Sequence, residues 1–190
     1  MHVEFRLVIL IALILSAAAV LTACGQSSGS EETADADMKD YGDVFRNIAM
    51  KDIEGKKFTS GYFKKNDVTL VTVWGTYCGY CIEEMPDIER IYEHYRDKKA
   101  GVIGVVIDLN DSSGSEDASQ VEEAVKITEE QGVEYQNINV PESAYDMFAD
   151  IGSVPAAFLV DRNGKVISDI YMGMRAYDEW SSIIDEKLGN

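Results

Sequence analysis

The chain has 190 residues, 46% of them hydrophobic, enough for one globular domain and a short appendage. Seventeen Lys and Arg against 34 Asp and Glu give a formal net charge of −17, so a nucleic-acid backbone or an anionic lipid surface would be repelled. Three cysteines are too few to staple a chain of this length, so the core must come from apolar packing and the cysteines are available for chemistry.

Residues 1–23 read as an address. Arg6 precedes the apolar run Leu7 to Leu15, and small residues then lead to Leu21-Thr22-Ala23-Cys24-Gly25, the layout of a cleaved signal peptide. The run is short for a bilayer span and ends in small and polar residues. Its last part resembles a bacterial lipobox, which implies cleavage before Cys24 and lipidation of its thiol. Residues 24–40 include the small, polar and acidic stretch Gln26 to Asp40, which has almost nothing to bury and reads as a flexible tether. The folded domain is expected over residues 41–190.

Within it, Val44 to Thr59 holds two short extended segments around the turn formers Asp52 and Gly55, predicting a small entry hairpin. Val68 to Trp74 is β-branched and apolar on both faces, as a buried central strand should be. Ile82, Met85, Ile88, Tyr92 and Tyr95 then recur at helical spacing, predicting a helix to about Arg96 with a kink at Pro86. Gly101 to Leu109 is a second apolar strand, Asn110 to Gln120 a polar loop, and Val121 to Gln131 a helix ended by Gly132. Strand, short helix, strand, strand and helix follow at Tyr135–Val140, Glu142–Asp150, Ala156–Asp161, Lys165–Met172 and Ala176–Leu188. A hairpin turn is predicted at Asp161-Arg162-Asn163-Gly164. Parallel strands with helical crossovers, closed by an antiparallel hairpin and a terminal helix, make an α/β sandwich.

The chemistry is expected at Cys78-Gly79-Tyr80-Cys81, directly after a buried strand and at the first turn of a helix. Unpaired N–H groups and positive potential at a helix N-terminus stabilise a thiolate at Cys78. That thiolate would attack a substrate disulfide, and Cys81 would then displace the product and close the ring. A structural zinc site needs four ligands, and beside this pair the processed chain would offer only His94 and a Cys24 whose thiol is blocked by lipid, so no metal is expected. His94 lies too far along the same helix to act as a base for Cys78.

These features resemble the TlpA/ResA-like group of thioredoxin-fold proteins, the membrane-tethered disulfide reductases of bacterial envelopes. The resemblance spans about Tyr41 to Leu188. It rests on Lys51-Asp52-Ile53-Glu54-Gly55-Lys56, the Trp74-Gly75-Thr76 run before the cysteines, Glu84-Met85-Pro86 and Val154-Pro155. It implies a thioredoxin-like α/β fold, a central mixed sheet flanked by helices with an N-terminal β-hairpin extension. Pro155 should be cis and, with Val154, Trp74 and Tyr80, should meet the substrate chain. Glu84, one helical turn after Cys81, should adjust the cysteine pKa values and assist proton transfer.

The group further implies an extracytoplasmic, lipid-anchored enzyme without a cofactor, expected as a monomer. It would donate electrons from a membrane thiol-electron transporter to envelope disulfides, such as those of apocytochrome c or a methionine sulfoxide reductase. Three positions depart from the pattern. Thr72 stands where thioredoxin has a buried Asp, Tyr77 replaces the usual Trp, and Gly79-Tyr80 is similar to the dipeptide of bacterial disulfide isomerases. An oxidase or isomerase, and a binding module with an inert cysteine pair, therefore stay open as alternatives.

Overall fold

Two runs whose every residue is apolar or small form the centre of the sheet, because only a strand covered on both faces can bury such a run. The computed structural model describes residues 44–189; the expected signal peptide, Cys24 and the acidic tether lie outside them. In chain order come β1 (Ala49–Lys51), β2 (Lys57–Thr59), α1 (Gly61–Lys64), β3 (Val68–Trp74), α2 (Gly79–Tyr95) and β4 (Ala100–Val106). Then follow α3 (Ala118–Glu130), β5 (Asn137–Asn139), a single 3₁₀ turn (Glu142–Ala144), α4 (Tyr145–Asp150), β6 (Ala156–Asp161), β7 (Tyr171–Met172) and α5 (Tyr177–Leu188).

The main sheet has the order β5-β4-β3-β6-β7. β3 and β4 run parallel, from Val68 opposite Ala100 to Trp74 opposite Val106, and every residue of both is buried. β5 extends the parallel half, while β6 and β7 are antiparallel additions on the other side. β1 and β2 form the separate entry hairpin, which joins the domain through Ile53 N–H donating to Asn137 O at 2.9 Å. Phe45 N–H donates to Gly164 O, at the turn after β6, so the described chain begins at the end of the sheet where β3 starts. No helix among the described residues is long and apolar enough to cross a membrane.

One face of the sheet packs on Phe45, Phe58, Phe63 and Met147, and the other on Ile88, Ile91, Tyr95, Trp180 and Ile184 from α2 and α5. Each such large apolar side chain contributes roughly 1.5–3 kcal/mol on burial, so the two layers are what fix α2 and α5 against the strands. A third cluster, containing Trp74, Cys78, Cys81, Met85 and Leu109, sits under the point where β3 passes into α2.

The expected architecture holds, with three differences. The strand expected over Lys165 to Met172 is reduced to a bridge at Val166 and the pair Tyr171–Met172. Between them the Ser168 hydroxyl accepts Leu159 N–H at 2.8 Å, so a side chain takes the place of a ladder carbonyl and the backbone leaves the sheet. The loop after β4 ends at Asp117, whose carboxylate accepts Ser119 N–H at 2.8 Å as the cap of α3; the helix therefore starts ahead of the expected Val121. The short helix α1 carries no periodic signal of its own and is set by the burial of Phe63.

Candidate functional site

The site is built where β3 ends. Gly75, Thr76 and Tyr77 turn the chain, Cys78 N–H donates to Gly75 O at 3.0 Å, and Cys78 becomes the N-cap of α2. The turn is clamped from the neighbouring strand's end: the Asp108 carboxylate accepts Thr76 N–H at 3.0 and 3.1 Å and the Thr76 hydroxyl at 2.6 Å. Cys78 and Cys81 are joined by a disulfide with a Cα–Cα distance of 5.2 Å. Cys78 Sγ also accepts Cys81 N–H at 3.1 Å, so the sulfur occupies the ordinary place of a capping oxygen at the positive end of a 17-residue helix. Both cysteines are buried, while Tyr77 and Tyr80 on either side of Cys78 are 70% and 66% exposed.

Opposite the cysteines, the Val154–Pro155 bond is cis, as expected from the family position. Pro155 O accepts Gly173 N–H at 2.8 Å, which ties this loop to the segment after β7. Val154 is half-buried and packs on the cluster that holds both cysteines.

Trp74 differs from expectation. It is 2% exposed and its indole N–H donates to Asn137 Oδ1 at 2.8 Å, so it supports the site from beneath and offers no surface to a substrate. This packing depends on Gly104: a Cβ there would lie 1.8 Å from Asn137 Oδ1 and 3.0 Å from the Trp74 indole nitrogen. The indole turned inward because a buried N–H must find an acceptor and Asn137 supplies one across the sheet.

Glu84 is 7% exposed, on the first turns of α2. Its Oε1 accepts two N–H groups, the backbone amide of Arg175 at 3.0 Å and the indole of Trp180 at 2.9 Å. Burial pushes its carboxyl above the ordinary value; the two donors and the Arg175 guanidinium oppose that shift, and Asp87 adds to it. Glu84 and Cys81 line one small cavity of about 10 Å³, together with Thr72, Trp74, Tyr135 and Pro155. Tyr135 is buried there, and burial raises its phenol far above the ordinary range.

Of the residues singled out in the sequence, Cys78, Cys81, Glu84, Val154 and Pro155 converge here, Tyr80 stands exposed at the rim, and Trp74 lies below. Cys24 falls outside the described residues. Sequence reasoning missed Trp180, Arg175, Tyr135 and Asp108. Their partners lie between 32 and 96 residues away along the chain, and no local pattern marks them. Chemically, the arrangement offers a dithiol–disulfide pair, positive backbone potential at one sulfur and a buried carboxyl that shares a cavity with the other.

The Redoxin family profile matches residues 40–183. The thiol-disulfide oxidoreductase ResA of Bacillus cereus is 30% identical over 166 residues, 87% of this chain and 86% of the relative. The thioredoxin-like protein YneN of Bacillus subtilis is 26% identical over 141 residues, 73% of this chain and 75% of the relative. The crystal structure of a thioredoxin-family thiol:disulfide interchange protein from Chlorobium tepidum shares the fold. It matches with a TM-score of 0.61 at 21% identity, over 76% of this chain and 94% of that one.

Proposed function

The chain belongs to the Redoxin family, among its ResA-like thiol-disulfide oxidoreductases, and from that premise we propose that its Cys78–Cys81 dithiol reduces disulfides of proteins outside the cytoplasm. The observation that carries this reading is the cysteine pair at the N-terminus of α2, packed with Val154 beside the cis Val154–Pro155 bond, with Cys81 sharing a cavity with the buried carboxyl of Glu84.

In the reduced enzyme, Cys78 is the nucleophile. Backbone N–H groups and the helix dipole stabilise its thiolate, and Tyr77 and Tyr80 flank its approach. The thiolate attacks one sulfur of the substrate disulfide, forming a mixed disulfide and releasing the other substrate sulfur as a thiolate. Glu84 then takes the proton of Cys81. The Cys81 thiolate attacks Cys78 Sγ, closing the intramolecular disulfide and releasing the second substrate thiolate. Two electrons pass from enzyme to substrate, and a membrane thiol-electron transporter restores the dithiol. Val154 and Pro155 hold the substrate backbone beside Cys78, and Tyr80 contacts its side chains.

Residues 1–23 act as the signal peptide and Cys24 as the lipid attachment point. Residues 24–40 form the tether, and the domain from residue 41 works as a monomer at the envelope membrane. This rests on the apolar run and the Leu21-Thr22-Ala23-Cys24 pattern. Substrates of the apocytochrome c or methionine sulfoxide reductase kind fit a tethered reductase.

The test is a Cys81→Ser variant exposed to envelope extract. Mixed disulfides through Cys78 should accumulate and identify the substrates; their absence would overturn the reading in favour of a binding module. The Gly79-Tyr80 dipeptide favours, as a second reading, an oxidase or isomerase. Equilibration of Cys78–Cys81 with glutathione decides: a potential near that of thioredoxin, about −270 mV, fits a reductase, and one well above it does not.

A further inference from the structure

The buried carboxyl of Glu84 is held asymmetrically. Both of its N–H donors come from the start of α5 and the loop before it, and both converge on Oε1. An oxygen whose lone pairs already accept two hydrogen bonds cannot take a proton without losing one of them. The proton of the neutral acid therefore resides on Oε2.

Trp180 is 1% exposed and fixed on three sides. Its ring meets Tyr171 edge-on at 5.6 Å, the Arg175 guanidinium lies 5.4 Å from its centre, and the side chain is part of the layer formed with Ile88, Ile91 and Tyr95. The Arg175 guanidinium is in turn held by the carbonyls of Met172 and Gly173, on the segment that also bonds Pro155 O. The groups facing Glu84 are thus Asp87 on its own helix, Arg175 and Trp180 from the C-terminal segment, and Cys81, Tyr135 and Thr72 around the cavity.

We propose that Trp180 is a positioning residue for the thiol-disulfide reaction: with the Arg175 amide it occupies Oε1 of Glu84 and confines proton exchange with Cys81 to Oε2. This deepens the function proposed above and rests on the proton-accepting part assigned there to Glu84. The step is a simple transfer. The Cys81 S–H bond breaks, its proton goes to Oε2, and the sulfur keeps the electron pair with which it attacks Cys78 Sγ. The indole donor stabilises the carboxylate that must be present before that transfer, and so sets the pH at which Glu84 is ready.

The experiment compares Trp180→Phe with the unsubstituted domain. Phenylalanine keeps an aromatic ring in the layer and removes the donor. Two quantities are read in the reduced protein: the titration of the Glu84 carboxyl by ¹³C NMR, and the pH profile of the reaction with glutathione disulfide. Loss of one charge-assisted donor should raise the Glu84 midpoint, and the acid limb of the profile with it, by about one pH unit, a tenfold change in proton affinity. In a Glu84→Gln background the same substitution should leave the profile where it is.

Tyr95→Phe is the packing control. The Tyr95 hydroxyl joins α2 to α5 at Ser181 and Asp185 without touching Glu84, so its loss should not move the midpoint. An unshifted or lowered Glu84 midpoint in Trp180→Phe would overturn the proposal, as would an equal shift in the Glu84→Gln background or in Tyr95→Phe. If Glu84→Gln itself leaves the pH profile unchanged, the part assigned to Glu84 falls, and the positioning proposal with it.

Discussion

Helix α2 carries two buried glutamates, and they are held in opposite ways. Glu84, near the disulfide, has two N–H donors on one oxygen and shares a cavity with Cys81. Glu89, further down the same helix, accepts Glu134 N–H through Oε2 at 2.7 Å, while its buried Oε1 has no hydrogen-bond partner among the described residues. Burial raises the pKa of both. A raised carboxyl pKa therefore does not mark a reactive group by itself. What separates the two is a neighbouring sulfur, and two N–H donors on one oxygen of Glu84 where Glu89 has a single donor. The upper part of α2 is organised for reaction, and the lower part, through Ile91, Tyr95 and Glu89, for attachment to the rest of the domain.

The largest effect is expected from Glu84→Gln. Turnover at neutral pH should fall by about 10²-fold, the usual weight of a positioned proton-transfer group, and the acid limb of the rate profile should disappear. Stability should move the other way. A carboxyl whose folded pKa is raised loses stabilisation as pH rises through that pKa. The Gln variant should therefore gain stability relative to the parent on going from acid to neutral pH, read from urea midpoints across the range. Unchanged turnover with the acid limb still present would put Glu84 in the same class as Glu89, a buried carboxyl without a part in the reaction.

Tyr95→Phe probes the lower part. Removing the hydroxyl that meets Ser181 and Asp185 should cost about 1 kcal/mol in denaturant unfolding and leave turnover unchanged. The smallest effect is expected from Glu89→Gln. It removes a buried charge with an unpaired oxygen but keeps an acceptor for Glu134 N–H, so neutral-pH stability should rise by less than about 1 kcal/mol, with no change in the rate profile. A shift of the rate profile here would mean that the two halves of the helix are not separate.

How much of this was legible in the sequence follows from how local each cause is. β3 and β4 could be read because burial on both faces writes itself as a run of apolar, β-branched and small residues without a charge. The cysteine pair could be read because strand, turn and helix N-terminus are contiguous. Lys165 to Met172 reads as one strand by composition, yet the Ser168 hydroxyl competes for the ladder hydrogen bond of Leu159, a choice that composition does not record. Trp74 had the right position and the wrong direction, since the acceptor that drew its N–H inward, Asn137, lies 63 residues away. The same distance effect hid Trp180, which is one apolar residue on the buried face of α5 until the fold brings it to Glu84, 96 residues upstream.

The hydrogen bond from Phe45 to Gly164 has a bearing on reach. It fixes the described chain's start beside the first residues of β3, whereas the disulfide follows the last; seven strand residues separate the two by about 23 Å. If the domain is tethered through the residues before Phe45, as proposed, the point of attachment and the reacting sulfur lie at opposite ends of β3, and the length of the tether would set the reach of the sulfur.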